Sequence, residues 1–156
     1  MEHLFTTKQI LARPVEAVFP FFAEAANLGR ITPPELEFEI LSPQPIAMKE
    51  GALIDYRIRL GGVPMRWRTE IVRWNPPGEF VDVQRRGPYA QWIHRHTFTD
   101  LPGGRTQMED EVRYRLPLGP LGLLALPFVK REIARIFAHR RRAVGELFGE
   151  VDTSSM

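Results

Sequence analysis

The spacing of apolar residues in this chain changes once, from the period of a strand to the period of a helix. Between residues 35 and 116 apolar and charged side chains alternate, which on a β-strand places them on opposite faces. Turn signals rich in Gly, Pro and Asn divide this region into short segments. From residue 128 to 148 apolar residues recur instead at spacings of three and four. The pattern predicts an antiparallel sheet followed by one long amphipathic helix.

The first part of the chain adds one strand and two short helices. A weak alternation predicts a strand at residues 3–12, and Pro14 then opens an apolar helical stripe over residues 14–26. Pro20 predicts a bend or an early end of this helix, and a second helical turn is expected at residues 27–32.

The sheet and the final helix can both bury their apolar faces if the sheet curls around the helix. The predicted fold is therefore an α+β helix-grip: a seven-stranded antiparallel sheet wrapped around a long C-terminal helix, with two short helices between strands 1 and 2. The predicted strands cover residues 3–12, 35–40, 54–60, 66–71, 80–86, 92–100 and 105–116.

Length and composition indicate one domain and exclude thiol chemistry. A chain of 156 residues is the size of a single domain, here expected over residues 1–150 with a disordered tail at 151–156. The absence of Cys excludes a disulfide framework, a thiolate metal site and a cysteine nucleophile. The first residues do not resemble a signal peptide, so a cytoplasmic location is expected.

Charge and hydropathy predict no membrane span and no nucleic-acid binding. The longest uncharged stretch, residues 116–129, contains three prolines and is too short to cross a bilayer. Residues 130–142 contain six Lys or Arg and one Glu, whereas the whole chain has a net charge of only +2. The basic residues 140–142 are interpreted as a solvated helix face near a C-terminus.

An unusual row of side chains lies on one of the predicted strands. Trp92, His94, His96 and Phe98 share one face, and the alternate face contains Arg95, a poor core residue. The aromatic and histidine row is therefore predicted to face inward. Of the tryptophans, Trp67 and Trp92 are expected inside, and Trp74 is expected on the opposite face near a sheet end.

The neighbouring strands bring carboxylates to the same region. On the following strand Asp110 faces the core if the flanking glutamates face water. On the preceding strand Asp82 and Gln84 share a face with Phe80, but the alternate row is also apolar, so the pattern leaves the inward face undecided. Hairpin closure places both Asp residues within about one register step of the histidines, where facing Cβ atoms lie roughly 5 Å apart.

This predicted cluster has three interpretations. The polar groups can satisfy one another inside the core. They can instead orient a ligand in a cavity between sheet and helix. A metal site is the weakest alternative, because a two-residue histidine spacing on a strand is an unspecific signal. No metal and no cofactor are predicted.

Over nearly its whole length the chain resembles the SRPBCC superfamily, also called START-like or Bet v 1-like, and within it the small bacterial ligand-binding and polyketide cyclase/dehydrase-like proteins. The resemblance lies in the opening of the first helix at Pro14, in Ile31-Thr32-Pro33-Pro34, in Phe80-Val81-Asp82-Val83-Gln84, in Gly87-Pro88-Tyr89, in Trp92-Ile93-His94-Arg95-His96 and in Asp110-Glu111-Val112. It implies a sheet gripping the C-terminal helix around a cavity for lipids, polyketides or other apolar molecules. It does not imply one reaction.

Three functions are carried forward as hypotheses. The first is binding of a small, largely hydrophobic ligand such as a lipid, a polyketide or an isoprenoid-like molecule. The second is a polyketide cyclase or dehydratase in which His94 or His96, paired with Asp82 or Asp110, acts as a general base. The third is a peripheral lipid carrier whose residues 116–129 touch an anionic membrane. The predicted ligand-binding residues are Tyr56, Trp67, Thr69, Asp82, Gln84, Trp92, His94, His96, Asp110 and Phe137.

Overall fold

Seven antiparallel strands form one sheet in the computed structural model, which describes residues 1–151. The strands are β1 (His3–Leu11), β2 (Glu39–Ile40), β3 (Leu53–Leu60), β4 (Val63–Asn75), β5 (Glu79–Arg86), β6 (Gln91–Leu101) and β7 (Arg105–Arg115). Their order across the sheet is β1-β7-β6-β5-β4-β3-β2, so the first strand pairs with the last and the others follow the chain. The long helix α2 (Leu126–Phe148) packs against this sheet, which confirms the predicted helix-grip fold.

The two short helical segments predicted between β1 and β2 are both present. The helix α1 (Val15–Phe22) ends two residues after Pro20, and a 3₁₀ helix follows at Ala25–Ile31. The buried side of α1 consists of Val15, Val18, Phe19 and Phe22. This early end agrees with the absence of a backbone N–H at proline.

The strand predicted for residues 35–40 is mostly wrong. Pro34–Leu36 form a short 3₁₀ helix, and β2 contains only Glu39–Ile40. Between them Glu37 adopts a left-handed backbone with φ of 46°, which interrupts any extended strand. Alternation misled the prediction because Leu36 is buried and its charged neighbours are exposed in either conformation.

The predicted face of Trp74 is also wrong, because β4 contains a bulge. Ile71 lies opposite Asp82 and Arg73 lies opposite Val81, so Val72 is an extra residue in the ladder. The bulge reverses the alternation beyond this point. Trp74 therefore packs inward, with its ring centroid 5.4 Å from that of Phe19.

Helix α2 buries one stripe of side chains against the concave face of the sheet. Ile133, Phe137 and Val144 are buried, and the ring of Phe137 lies 5.0 Å from that of Phe5 on β1. Phe128, predicted on this side, is instead 58% exposed. Leu126 and Val129 pack inward in the same turn, and a helix rotates by about 100° per residue, so Phe128 points away.

Two clusters of buried apolar side chains form the core. The first surrounds α1 and includes Leu11, Val18, Phe19, Phe98 and Met108. The second lies under α2 and consists of Val112, Tyr114, Ile133 and Phe137.

The chain end after α2 returns to β1. The backbone N–H of Ala12 donates to the carbonyl oxygen of Gly149 at 2.7 Å, and that of Val151 donates to Ile10 at 2.8 Å. The first residue of the predicted disordered tail is thus paired with β1, and residues 152–156 lie outside the described part of the chain. Within residues 1–151 no helix has the length and apolar character that a bilayer crossing needs.

Candidate functional site

A cavity of about 180 Å³ lies between the concave sheet, α2 and the short helices that follow β1. Its wall is mostly apolar and draws on both core clusters, with Phe22, Ile71 and Phe80 from the first and Ile133 and Phe137 from the second. Polar side chains enter the wall mainly from β5, β6 and α2. The fold therefore provides a mostly apolar cavity with a polar region on one side.

One end of the cavity is a group of aromatic rings. Tyr56 and Trp67 lie opposite each other on β3 and β4, and their rings stack with centroids 5.9 Å apart. The ring of Trp92 stands perpendicular to that of Trp67 at 5.4 Å, and Tyr89 lies 4.7 Å from Trp92. Period-two placement on neighbouring strands brings these rings to one face of the sheet.

The polar region is a buried cluster of five residues, called here the polar cluster: Asp82, His94, His96, Asp110 and Arg140. His94 Nε2 lies 2.8 Å from Asp110 Oδ1, and His96 Nε2 lies 2.6 Å from Asp82 Oδ2. The two imidazole rings stack with centroids 3.6 Å apart. Phe80 covers the outer face of His96 at 3.9 Å. Each histidine is therefore held by one carboxylate and by its neighbour's ring.

Arg140 completes the polar cluster from α2, and its predicted place on a solvated face is wrong. The side chain is only 9% exposed. Its guanidinium donates to both carboxylate oxygens of Asp110 at 3.3 and 3.4 Å, and its Nη2 atom lies 3.3 Å from His96 Nδ1. Arg140 also lies over the rings of Phe22 and Phe137. Its charge is thus paired, as a buried charge requires.

The spacing of apolar residues along α2 already indicates that Arg140 faces inward. Ile133, Phe137, Arg140 and Val144 follow one another at spacings of four, three and four residues. That is the stripe by which a helix faces its core. Arg141 and Arg142 are exposed, and grouping Arg140 with them led to the prediction of a basic surface at residues 140–142.

Burial and neighbouring charges move the pKa values of the two carboxyl groups in opposite directions. Burial raises the pKa of Asp82 to about 6, and the repulsion from Asp110 adds to the increase. Burial also acts on Asp110, but the charge of Arg140 and the hydrogen bond with His94 outweigh it and hold its pKa below the usual value. Burial lowers the pKa of His96 well below its ordinary value. Of the two carboxyl groups, Asp82 therefore titrates closer to neutral pH, whereas Asp110 stays ionised.

A metal ion fits this arrangement poorly. Asp82, His94 and His96 present ligand atoms within 4.8 Å of one another. Both Nε2 atoms already bond carboxylates, and the cation Arg140 lies 3.3 Å from His96 Nδ1. A divalent ion would break these bonds and would be repelled by the guanidinium. The geometry favours a hydrogen-bonded network.

Most of the predicted ligand-binding residues lie in the cavity wall: Tyr56, Trp67, Thr69, Asp82, Trp92, His94, His96 and Phe137. Asp110 lies behind the histidines, where it bonds His94 and Arg140. Gln84 is engaged elsewhere, because its amide donates to the carbonyl oxygen of Tyr89 at 2.7 Å and accepts from the Tyr89 N–H at 3.1 Å. These bonds hold the hairpin between β5 and β6.

Fold and cavity together define the class of this protein: a START-like, Bet v 1-like helix-grip domain. The chain belongs to the polyketide cyclase / dehydrase and lipid transport family, whose model matches residues 11–140. No curated protein sequence matches it.

Solved structures show the same fold at low sequence identity. A START superfamily protein from Mycobacterium smegmatis is 14% identical, with 94% of this chain and 97% of that chain covered and a TM-score of 0.69. The Zhui aromatase/cyclase from a Streptomyces species is 15% identical, with 96% and 98% covered and a TM-score of 0.69. Norcoclaurine synthase from Thalictrum flavum is 11% identical, with 94% of each chain covered and a TM-score of 0.69. At these identities the likeness extends to the fold alone.

Proposed function

We propose that this protein binds a small, largely apolar molecule whose polar end meets the polar cluster. The observation that carries the proposal is the distribution of polarity in the cavity. Apolar and aromatic side chains form most of the wall, whereas Asp82, His94, His96 and Arg140 meet in one region of it. Sites of this kind gain affinity from apolar burial and use a few polar groups to fix orientation.

The size of the cavity and the charges in its wall limit which ligands can bind. An apolar cavity of roughly 150 Å³ holds a benzene-sized molecule, so a cavity of about 180 Å³ accepts one or two rings or a short chain. Asp110 already compensates the charge of Arg140, and Asp82 adds a second carboxylate. A neutral hydroxyl or carbonyl group therefore suits the polar cluster better than an anion does.

Native mass spectrometry and calorimetry test this proposal. We expect freshly purified protein to carry a small molecule or, after its removal, to bind 2-naphthol. Ile133→Phe adds volume to the cavity wall and should abolish both results, whereas Leu124→Phe changes an exposed position and should leave them unchanged. Absence of binding by the wild-type protein, or equal binding by Ile133→Phe, would contradict the proposal.

A second candidate function is acid–base catalysis in the same cavity. It is favoured by Asp82, which lines the cavity, bonds His96 at 2.6 Å and has a pKa raised to about 6. A base with such a pKa is suited to proton transfer near neutral pH. Its ionised carboxylate would take an α-proton from an enolisable ketone, leaving an enolate, and would then return a proton to carbon.

Deuterium exchange measures this step without knowledge of the natural substrate. Incubation of 2-tetralone in D₂O with the protein should exchange its α-protons faster than the same concentration of imidazole does, by roughly 10²-fold for a positioned base. Asp82→Asn should remove the excess, and Asp100→Asn, at an exposed position on β6, should keep it. Exchange no faster than with imidazole would exclude this function for ketones of that size.

A third candidate, contact with an anionic membrane, is favoured by an exposed apolar patch before and at the start of α2. Its members are Leu118, Leu121, Leu123, Leu124 and Phe128. The sequence alone allowed these residues to be covered by the sheet, but Leu124 is 81% exposed. Lys130 and Arg131 follow directly and are exposed as well. An apolar patch beside cations gains both burial and attraction to acidic headgroups.

Liposome co-sedimentation tests the membrane contact. At low salt we expect more protein to pellet with vesicles containing phosphatidylserine than with neutral vesicles. Replacement of Leu121 and Leu124 by Ser should abolish the difference, whereas replacement of the exposed Leu4 and Val63, both on the sheet, should not. Equal recovery of the protein in the supernatant for both vesicle types would contradict the proposed membrane contact.

A further inference from the structure

One carboxylate oxygen of the polar cluster has no partner within residues 1–151. Asp82 Oδ2 lies 2.6 Å from His96 Nε2, whereas Asp82 Oδ1 forms no hydrogen bond in this part of the chain. Here the fully buried side-chain nitrogen and oxygen atoms without a partner belong to His3 and Trp67. Asp82 Oδ1 is not one of these buried atoms, so it retains accessible surface.

The accessible surface of Asp82 lies on the cavity side of the sheet. Asp82 is opposite Ile71 on β4 and opposite His94 on β6, and directly opposite residues of an antiparallel pair share a face. All three residues line the cavity, and the side chain of Asp82 is 16% exposed. A ligand in the cavity therefore reaches Asp82 Oδ1.

The hydrogen bonds of His96 show which of its two ring nitrogens carries a proton. Arg140 Nη2 is hydrogen-bonded to His96 Nδ1 at 3.3 Å. A guanidinium only donates, so Nδ1 is the unprotonated nitrogen. Burial lowers the pKa of His96, so its ring is neutral and its single proton lies on Nε2. His96 therefore donates to Asp82 Oδ2, and Asp82 is the acceptor of this bond.

The contact between His96 and Asp110 does not favour the other tautomer. Asp110 Oδ1 lies 3.4 Å from His96 Nδ1, but it already accepts from His94 at 2.8 Å and from Arg140 at 3.3 Å. A proton on His96 Nδ1 would also face an N–H of Arg140 and would break that hydrogen bond. A proton on Nε2 is compatible with every bond of the polar cluster.

Arg140 is the group in the cavity wall that would bind a carbonyl oxygen instead. Its Nε and Nη2 atoms bond Asp110 and His96, which leaves Nη1 as a donor. The charge of Arg140 is already paired with that of Asp110. Among the described residues no Lys or Arg side chain bonds Asp82, so its carboxylate has the greater need of a further partner.

We propose that the polar end of the ligand is a hydroxyl group that donates its hydrogen bond to Asp82 Oδ1. This inference rests on the proposed binding function and adds a chemical class to it: an alcohol or a phenol binds in preference to a ketone or an aldehyde of the same shape. Asp82 is the specificity-determining residue. Its ionised carboxylate, with one oxygen held by His96, offers the cavity lone pairs and no proton.

Two probes of nearly the same shape test this preference. 1-Indanol donates from its hydroxyl group, whereas the carbonyl oxygen of 1-indanone only accepts. The measurement is made at about pH 8, where Asp82 is ionised because its pKa is raised only to about 6. We expect calorimetry to show at least about tenfold tighter binding of 1-indanol, the value of a hydrogen bond to a charged group.

Asp82→Asn should reverse the preference. The Nε2–H of His96 still needs an acceptor, so the carbonyl oxygen of the new amide takes the place of Oδ2 and its NH₂ group faces the cavity. That group donates, and 1-indanone should then bind more tightly than 1-indanol. Asp100→Asn, at an exposed position on β6, is the matched control and should keep the wild-type ratio.

A ¹⁵N spectrum of the histidine rings in the wild-type protein supplies a readout that needs no ligand. We expect His96 to carry its proton on Nε2 and none on Nδ1. This spectrum remains informative even if Asp82→Asn fails to fold.

The outcomes distinguish the inference from the function on which it rests. Equal affinities of the two probes, or an affinity ratio that Asp82→Asn leaves unchanged, would overturn the inference and leave the binding function in place. A proton on His96 Nδ1 would overturn the inference as well. If neither probe binds, the binding function fails together with the inference.

Discussion

His94 Nε2 lies 2.8 Å from Asp110 Oδ1, although the residue directly opposite His94 on β7 is Val112. The second histidine bond is diagonal as well. His96 faces Phe80 on β5 in the register, yet it bonds Asp82, two residues further along. Diagonal neighbours on one face of an antiparallel pair are within reach of long side chains. The crossed bonds let the two imidazoles stack and link three strands.

This crossed arrangement gives the two carboxylates different roles. Asp110 forms a salt bridge with Arg140 and stays ionised behind the histidines. Within residues 1–151 no guanidinium bonds Asp82, which lines the cavity and has a raised pKa. One carboxylate therefore anchors the polar cluster to α2, and the other lies in the cavity wall.

Loss of Arg140 should destabilise the protein strongly. Arg140→Met leaves the buried Asp110 carboxylate without its cation, and breaking a buried pair costs roughly 3 kcal/mol or more. Arg142→Met on the exposed side of α2 is the control and should change the free energy of unfolding by less than about 0.5 kcal/mol. Urea denaturation at pH 7 measures both. Equal stability of the two variants would show that Arg140 does not hold the polar cluster, whereas addition of Asp110→Asn to Arg140→Met should recover part of the loss.

Asp82→Asn should become more stable relative to the wild-type protein as the pH rises from about 4 to about 6. In this interval the folded wild-type chain retains a proton on Asp82 that the unfolded chain releases, so its stability from this group falls as the pH rises. A pKa raised from 3.8 to about 6 corresponds to roughly 3 kcal/mol. His96, with its lowered pKa, contributes the opposite trend in both proteins, so the difference between them is the quantity to measure. Urea titrations at several pH values suffice, and a difference independent of pH would be inconsistent with a raised Asp82 pKa.

Gln84→Ala should weaken the hairpin between β5 and β6. It removes two hydrogen bonds to the backbone of Tyr89, and we expect a loss of about 1–2 kcal/mol in the free energy of unfolding. Arg86→Ala, at an exposed position on the same strand, should have little effect. Hydrogen exchange at the Tyr89 amide should accelerate only in Gln84→Ala; unchanged protection there would argue against this role.

Deletion of Val72 should be tolerated far better than deletion of Glu70. Val72 is the extra residue of the β4 bulge, so its removal restores regular alternation and leaves Ile71 and Trp74 facing inward. Removal of Glu70 slips the register and turns one half of the inward row toward solvent. We expect losses of roughly 1 kcal/mol for the first and at least about 3 kcal/mol for the second, measured by chemical denaturation. Similar losses would show that the bulge itself is needed.

Alternation of apolar and polar residues predicted the sheet and the inward row of β6, and apolar residues at spacings of three and four predicted the final helix. Both patterns are local, because burial of one face of a strand or helix imposes them on the sequence. Pro20 likewise marked the end of α1. Where two conformations bury the same residue, alternation alone chose wrongly, as it did for Leu36.

The sequence by itself determined which residue types meet inside the sheet: strand alternation and hairpin closure are local, and they placed His94, His96 and Asp110 together. Only the tertiary structure decided how these groups are bonded. The diagonal histidine–carboxylate bonds depend on the direction in which side chains of three strands tilt. The inward position of Trp74 depends on a bulge that the sequence of one strand does not reveal. The insertion of Arg140 depends on the rotation of α2 over the sheet, and that rotation is set by the packing of the whole helix stripe into the core.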